Sequence, residues 1–101
     1  MSQDSILLAI EQGVATITLN RPQSLNSFNA DMHEALRSAL EKVRQEDSVR
    51  VLVLTGAGRG FCAGQDLGDR NVAPGEAAPD LGYSIETWYN PLIRTLRDLP
   101  V

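Results

Sequence analysis

Residues 50–67 read RVLVLTGAGRGFCAGQDL, an apolar run that leads directly into a glycine-rich loop. The run at 50–55 is apolar and β-branched without polar alternation, a pattern typical of a parallel strand with both faces covered. The loop stands at the carboxyl end of this strand, which is where open α/β sheets commonly bind ligands. The stretch therefore predicts an α/β fold with a binding or catalytic loop after the strand.

A hairpin is predicted at the start of the chain. Residues 5–10 and 14–19 form two short apolar runs, and the second alternates as a half-buried strand does. Glu-Gln-Gly at 11–13 predicts a three-residue turn between them, because its glycine readily adopts a positive φ angle. A strand, a helix and the strand at 50–55 then follow in the order of a crossover unit.

The helix of this unit is predicted to run to about Gln45. Ser27 or Asn29 is a candidate N-cap, and Asp31 is favourably placed in the first turn. The i, i+4, i+7, i+8, i+11 spacing predicts a buried face made of Met32, Leu36, Ala39, Leu40 and Val43. The charged residues between them are expected to form a solvated face.

The chain after the glycine loop predicts an irregular segment and then a second helix. Prolines and a glycine at 71–81, NVAPGEAAPDL, argue against a helix there. Apolar residues then repeat at helical spacing with Pro91 among them, which predicts a kink or a helix that restarts at the proline. Because the chain stops on apolar residues and offers little cover for the strand at 50–55, we expect it to be the front part of a longer protein.

The composition restricts the class of protein. The 101 residues suffice for one domain at most, and 43% of them are hydrophobic, which fits a globular chain. The net charge of -4 and the lack of a basic run argue against a nucleic-acid partner, and no apolar run is long enough to span a membrane. The N-terminus lacks the basic start of a signal peptide. A single cysteine excludes an internal disulfide and fits the reducing cytoplasm.

The glycine loop formally matches a dinucleotide fingerprint. Residues 58–63 fit G-x-G-x-x-G/A, and Asp80 follows about twenty residues later. That fingerprint requires a long helix opening at its third glycine position, whereas glycines and a proline interrupt residues 64–75. A P-loop is excluded because no lysine lies in or after the loop. With one histidine and one cysteine in the chain, a transition-metal site is not expected either.

Two catalytic interpretations of the loop remain besides a plain surface turn. Cys62 could act as a nucleophile, but it would need His33 as its base. We interpret Cys62 as a packing residue and His33 as a surface or structural histidine. Alternatively, backbone N–H groups of the loop could form an oxyanion hole, since glycines allow close substrate approach. A short helix opening near Asp66 and Leu67 would add its positive end. The residues alone leave open a surface turn with Asp66 as an N-cap.

Three segments in order resemble one enzyme family. They are GVATITLNRPQSLNSFN at 13–29, RVLVLTGAGRGFCAGQDL at 50–67 and LRDLPV at 96–101. Together they resemble the N-terminal part of the enoyl-CoA hydratase/isomerase (crotonase) superfamily. The resemblance implies an α/β fold, with residues 1–101 as the N-terminal part of a crotonase-like spiral of ββα turns.

Shorter stretches resemble one branch of that family. NSFNADMH, GFCAGQDLGDRNV, APDLG and WYNPLIR are similar to the epoxyphenylacetyl-CoA isomerases, with a general enoyl-CoA hydratase as the alternative. The resemblance implies an acyl-CoA thioester as substrate, no metal or redox cofactor, a cytoplasmic location and a homotrimer or dimer of trimers. A non-catalytic CoA-binding or assembly module is the alternative of another class.

The resemblance also implies residues that contact the substrate. Gln65, which follows Ala-Gly in the loop, would supply one backbone N–H of the oxyanion hole. Arg21 and Leu25 are implied as neighbours of the CoA moiety. The adenine and pantetheine path is implied to be lined by Ala63, Gly64, Gln65, Asp66 and Leu67.

The sequence differs from the family pattern at one position, and some of the family's catalytic groups are expected after its last residue. Near Gln23 and Ser24, where many relatives carry a basic residue, this chain has neither Lys nor Arg. The second oxyanion donor and the acid/base carboxylate are expected beyond Val101. The family pattern gives no role in proton transfer to the carboxylates present, which are Asp66, Asp69 and Glu86. The 101 residues alone are therefore expected to be inactive.

Overall fold

The computed structural model describes residues 4–64 and 85–101 of the chain. Two strands, one helix and a third strand come first, and a second helix follows at the end of the chain. The regular elements are β1 Ile6–Glu11, β2 Val14–Leu19, a 3₁₀ turn Pro22–Ser24, α1 Ala30–Gln45, β3 Val51–Gly56, a π-helical turn Ile85–Tyr89 and α2 Asn90–Asp98. The segments predicted at 66–67 and 71–81 lie outside the described residues.

The first two strands form the predicted hairpin, with a shorter turn than expected. β1 runs antiparallel to β2, and its last residue, Glu11, pairs with Val14. Only Gln12 and Gly13 therefore remain in the turn, and both have positive φ angles of 50° and 80°. The prediction of a three-residue turn was wrong because a two-residue turn with two positive φ angles matches the twist of the flanking strands.

The crossover unit is confirmed. β2 and β3 are parallel neighbours in the sheet order β1-β2-β3, and α1 connects them in sequence. On β2, Ala15, Ile17 and Leu19 are almost wholly excluded from solvent and form the core together with the buried side of α1. The alternation read from the sequence thus identifies the buried face of this strand.

Helix α1 begins and packs as predicted. The Asn29 side chain caps it by accepting a hydrogen bond of 2.9 Å from the Met32 amide, which satisfies one of the unpaired N–H groups of the first turn. The buried side chains are those of the predicted stripe together with His33. On the solvated side, a hydrogen bond from Arg44 lowers the pKa of the Glu41 carboxyl and raises that of the guanidinium.

The third strand is covered on one face only within the described residues. Leu52 and Leu54 pack against the core, whereas Val51 and Val53 are 49% and 41% exposed. The prediction that both faces would be covered is therefore not met in this part of the chain. The reason is that α1 lies on a single side of the three-stranded sheet, so its other face has no layer against it among the described residues.

Helix α2 begins at Asn90, directly after the π-helical turn, so the helix type changes next to the proline without a break in the helical path. Pro91 stands in its first turn, where a missing N–H leaves no helical hydrogen bond broken. Leu92, Leu96 and Leu99 pack against the core formed by the sheet and α1. Within residues 4–64 and 85–101, neither helix has the length and apolar character needed to cross a membrane.

Candidate functional site

One buried side chain, Asn26, holds the glycine loop against the segment that precedes α1. Its amide nitrogen donates to the carbonyls of Ala57 and Gly60, at 2.9 Å each. Its amide oxygen accepts from the backbone N–H of Arg21 at 2.7 Å. The Asn26 side chain is fully buried, so these bonds form without competition from water. They join two segments that are distant in the sequence into one rigid unit.

The path of the loop requires glycine at its first position. A Cβ atom placed on Gly56 would lie 2.5 Å from the Phe61 carbonyl oxygen and 2.6 Å from that of Gly60. Both neighbours are backbone atoms, which cannot rotate away as a side chain could. The loop therefore folds back over the end of β3, and a larger residue at this position would displace it.

The far end of the loop lies beside residues 25–28. The Ala63 amide donates to the Leu25 carbonyl at 3.0 Å, and the Phe28 amide donates to the Gly64 carbonyl at 2.6 Å. Between these two bonds, the Gly64 amide contacts the Cys62 sulfur at 3.4 Å. Consecutive peptide groups at this end are thus each held by a hydrogen bond.

Gly64 itself has a backbone conformation that favours glycine. Its φ angle is +103°, outside the regions that other residues adopt at low cost. A Cβ atom there would meet no atom within 4 Å in the part of the chain that the structure describes. Glycine is therefore required here by the backbone conformation rather than by crowding, and the space beside it is open.

A shallow pocket lies along the outer side of the loop. Its volume is about 350 Å³, and it is lined by Leu25, Arg59, Gly60, Phe61, Cys62 and Ala63. Two of its apolar side chains are well exposed, Phe61 at 54% and Leu25 at 37%. Its one charged lining residue is a cation, Arg59, which is exposed. Such a surface suits a ligand with an apolar portion and an anionic portion.

The predicted substrate residues fall into separate places. Leu25 and Ala63 line the loop pocket, and Gly64 follows Ala63 directly in the chain. Arg21 instead lines a polar groove on the other side of the turn, and its Nη1 donates to the Ser27 carbonyl at 2.5 Å. The structure does not bring Arg21 and Leu25 together in one pocket. Gln65, Asp66 and Leu67 lie outside the described residues, so the roles assigned to them stay predictions.

Cys62 and His33 have the structural positions that the sequence analysis favoured for them. Cys62 is half-buried against the core, and its sulfur lies against the Gly64 amide. His33 is buried, stacks on the Phe28 ring at 4.6 Å and on Trp88 at 5.3 Å, and is not among the residues that line the loop pocket. In residues 4–64 and 85–101, no three His, Cys, Asp or Glu side chains are grouped closely enough to hold a metal ion.

Two residues of the site were missed by sequence reasoning, Asn26 and Phe28. Both fall within the segment at 13–29 that carries the family resemblance, but neither was given a role. Their contacts run to residues 31 or more positions away. No local pattern signals such contacts, although a polar Asn followed by buried residues could have been examined as a structural hydrogen-bond donor.

Comparison with known proteins identifies the family to which the chain belongs. Residues 9–95, which include β2, α1, β3 and the whole loop, match the family described as enoyl-CoA hydratase/isomerase. The chain belongs to the enoyl-CoA hydratase/isomerase family. Membership of this family replaces the dinucleotide interpretation, because the glycine loop is accounted for by the family to which the entire described fold belongs.

Individual members of the family are closely similar to this chain. It is 61% identical over 95 residues to the 1,2-epoxyphenylacetyl-CoA isomerase of Escherichia coli K12, covering 94% of this chain and 36% of that protein. It is 42% identical over 105 residues to a probable enoyl-CoA hydratase of Rhodobacter capsulatus, covering 100% of this chain and 37% of the relative. The chain thus spans little more than a third of the length of these two relatives.

Solved structures of family members share the fold. A putative enoyl-CoA hydratase/isomerase from Mycobacterium abscessus superposes with a TM-score of 0.82 at 30% identity, covering 95% of this chain and 37% of that structure. An enoyl-CoA hydratase from Mycobacterium marinum superposes with a TM-score of 0.72 at 34% identity, covering 95% and 44%. The predicted fold class, the N-terminal part of a crotonase-like α/β fold, is confirmed.

Proposed function

We propose that the protein to which this chain belongs is an isomerase of ring-1,2-epoxyphenylacetyl-CoA. The observation that carries the proposal is the 61% identity to the Escherichia coli 1,2-epoxyphenylacetyl-CoA isomerase over 94% of the chain. The probable hydratase of Rhodobacter capsulatus is 42% identical over the whole chain, which makes hydration of an enoyl-CoA the second candidate.

The glycine loop is proposed to bind the thioester oxygen. As charge develops on that oxygen, a backbone N–H already aimed at it stabilises the transition state without any ionisable side chain. The proposed donor is the N–H of Gln65, which belongs to the same peptide as the hydrogen-bonded carbonyl of Gly64. Open space beside Gly64 within the described residues supports this role, since a substrate carbonyl must approach the loop closely.

The acyl-CoA is proposed to lie along the loop pocket. Leu25, Phe61 and Ala63 offer apolar contact for the pantetheine, and the exposed Arg59 offers a cation for a phosphate. Asp66 and Leu67 continue this path in the proposal. Arg21 contributes indirectly in this proposal, because its hydrogen bond to the Ser27 carbonyl stabilises the turn. Positions 23 and 24 carry Gln and Ser, so Arg59 is the cation that lines the loop pocket in this proposal.

The group that transfers the proton is proposed to come from outside these 101 residues. No acidic side chain is among the residues that line the loop pocket. The second oxyanion donor is proposed to come from the same source, so the chain by itself would bind a thioester weakly and leave it unconverted. The proposed isomerisation involves no net oxidation or reduction. We propose, from the family resemblance, that it uses neither a metal nor a redox cofactor.

Assembly and location are proposed from the family resemblance. We expect the protein at the full length of its reading frame to form a homotrimer or a dimer of trimers in the cytoplasm. Light scattering coupled to size-exclusion chromatography measures the assembly directly, and a monomer at micromolar concentration would contradict this expectation.

The proposed activity is tested with the product of the full reading frame and two substrates. Ring-1,2-epoxyphenylacetyl-CoA should be converted to a product of unchanged mass, whereas hydration of crotonyl-CoA adds one water. Mass spectrometry of the products therefore distinguishes the isomerase from the hydratase. Efficient hydration without isomerisation would favour the second candidate. Binding of both thioesters with no turnover would favour a non-catalytic CoA-binding module.

Arg59→Gln should weaken binding of acyl-CoA in a salt-dependent way. Arg59 is exposed beside the loop pocket, so its attraction to a CoA phosphate is screened, and we expect Kd to rise by about threefold to fivefold at low ionic strength. The difference should shrink at high salt. Isothermal titration with acyl-CoA measures it.

Two controls make the Arg59 test specific. Arg44→Gln removes another exposed cation, which is paired with Glu41 on the solvated face of α1, and it should leave Kd unchanged. An acyl-pantetheine substrate, which lacks the nucleotide phosphates, should bind Arg59→Gln and wild type alike. An equal loss of affinity for acyl-pantetheine would show that Arg59 acts by shaping the loop and does not contact a phosphate.

A further inference from the structure

Phe28 contacts the glycine loop through its backbone, at the last described residue before the proposed oxyanion donor. Its amide donates to the Gly64 carbonyl at 2.6 Å, the shortest of the backbone hydrogen bonds between the loop and residues 25–28. The Phe28 residue is 7% exposed, so water offers little competition for this bond. The contact therefore fixes the direction of the Gly64 carbonyl.

The direction of that carbonyl determines the direction of the next amide. A peptide group is planar and trans, so its C=O and N–H point in opposite directions. The peptide that carries the Gly64 carbonyl also carries the N–H of Gln65. When the carbonyl is held toward Phe28, the N–H of the same peptide must point away from Phe28.

The flexibility of Gly64 means that a hydrogen bond is needed to keep the following peptide in one orientation. A glycine accepts both orientations of the following peptide at low cost, because it has no Cβ to exclude either. Gly64 has a φ angle of +103°, in the region that favours glycine, and it has no Cβ to restrict the peptide that follows it. Rotation of the peptide would exchange the N–H for a carbonyl oxygen, which would repel a negative oxygen instead of stabilising it.

Phe28 is itself held from two sides. Its ring stacks on His33 of α1 at 4.6 Å and meets Tyr89 edge-on at 6.4 Å. His33 in turn stacks on Trp88, and Arg37 lies 5.1 Å above the Trp88 ring while donating to the Thr87 carbonyl at 2.7 Å. This aromatic cluster of Phe28, His33, Trp88 and Tyr89 limits movement of the Phe28 backbone.

We propose that the Phe28 amide is a positioning group for the reaction, because it orients the Gly64 peptide so that its N–H faces the thioester oxygen. The inference rests on the proposed function, which makes that N–H an oxyanion donor. Phe28 does not touch the substrate in this account. It acts through Gly64, and the aromatic cluster keeps it in place.

The test removes one hydrogen and keeps the side chain. Phenyllactate in place of Phe28, introduced into the full-length protein, replaces the amide N–H by an ester oxygen and preserves the ring. We expect kcat to fall about tenfold, because the loss of one hydrogen bond typically has an effect of this size. KM should change by less than about twofold. 2-Hydroxyisovalerate in place of Val49 is the matched control, because it removes the hydrogen bond from a similarly buried amide to the Glu46 carbonyl at 3.1 Å, outside the glycine loop.

A vibrational measurement separates positioning from a general loss of structure. Phenylacetyl-CoA with an isotopic label at its thioester carbonyl is bound to each protein, and the carbonyl stretching frequency is compared with its value in water. Wild type and the Val49 ester should lower the frequency equally, and the Phe28 ester should lower it less. The two esters should unfold at similar temperatures.

The outcomes distinguish this inference from the proposed function. If wild type binds phenylacetyl-CoA without any shift of the carbonyl frequency, the oxyanion role fails and the positioning role fails with it. If wild type shows the shift and the Phe28 ester matches it in both frequency and kcat, only the positioning role is overturned. Equal losses of kcat in both esters would also overturn it, since a general loosening would then suffice.

Discussion

Gln65→Pro in the full-length protein is expected to lower kcat by about 100-fold to 1000-fold, the usual cost of one oxyanion donor. Proline has no backbone N–H, so the substitution removes the proposed donor from the peptide that follows Gly64. The loss should appear mainly in kcat, because the developing charge exists only in the transition state. Steady-state kinetics with ring-1,2-epoxyphenylacetyl-CoA measures it.

Gln65→Ala is the matched comparison for this prediction. Alanine removes the Gln65 side chain and keeps the amide, so its kcat should exceed that of Gln65→Pro by at least about tenfold. The Kd for phenylacetyl-CoA should differ little between the two variants, which shows that the loop still binds. Equal kcat values in wild type and Gln65→Pro would mean that another group stabilises the thioester oxygen.

Asn26→Ala is expected to destabilise the protein by about 3 kcal/mol. The substitution removes the hydrogen bonds to the Arg21 amide and to the Ala57 and Gly60 carbonyls, and it leaves these backbone groups buried without that partner. Asn26 also has a φ angle of 57°, which asparagine tolerates better than alanine does. The midpoint of urea unfolding measures the loss.

Asn20→Ala is the control because it makes the same chemical change at a neighbouring buried position. The Asn20 side chain donates to a single carbonyl, that of Asp4, at 2.9 Å, so its removal should cost only about 1 kcal/mol. The two variants should also differ in activity. Asn26 holds the glycine loop, whereas the hydrogen bond from Asn20 to Asp4 does not involve the loop. Equal destabilisation by both variants would contradict the role given to Asn26.

The local elements could be read from the sequence with good accuracy. The stripe of Met32, Leu36 and Leu40, together with the Asn29 cap, predicts α1, because helix periodicity and capping involve residues only three or four positions apart. An irregularity of the helix near Pro91 was predictable for the same reason, since the effect of a proline on a helix is local. The turn at Gln12 and Gly13 was misjudged by one residue, because strand pairing extends to Glu11 and shortens the turn.

The candidate site was predictable only in part. The position of the loop after β3 follows from chain order, and its chemistry from the family resemblance. How the loop is held does not follow from either, because its hydrogen bonds join residues 31 and 34 positions apart through the Asn26 side chain. The same applies to Arg21, whose guanidinium is used within its own turn, at the Ser27 carbonyl, in a groove separate from the loop pocket.

The sequence by itself determined the strands, the two helices, the crossover order and the family, because each depends on local patterns or on ordered motifs. Tertiary structure alone decided that the Phe28 amide meets the Gly64 carbonyl and that β3 exposes Val51 and Val53 among the described residues. Hydrophobic periodicity predicts which side chains are buried. It does not predict which segment packs against them, because that contact forms between residues distant in the sequence.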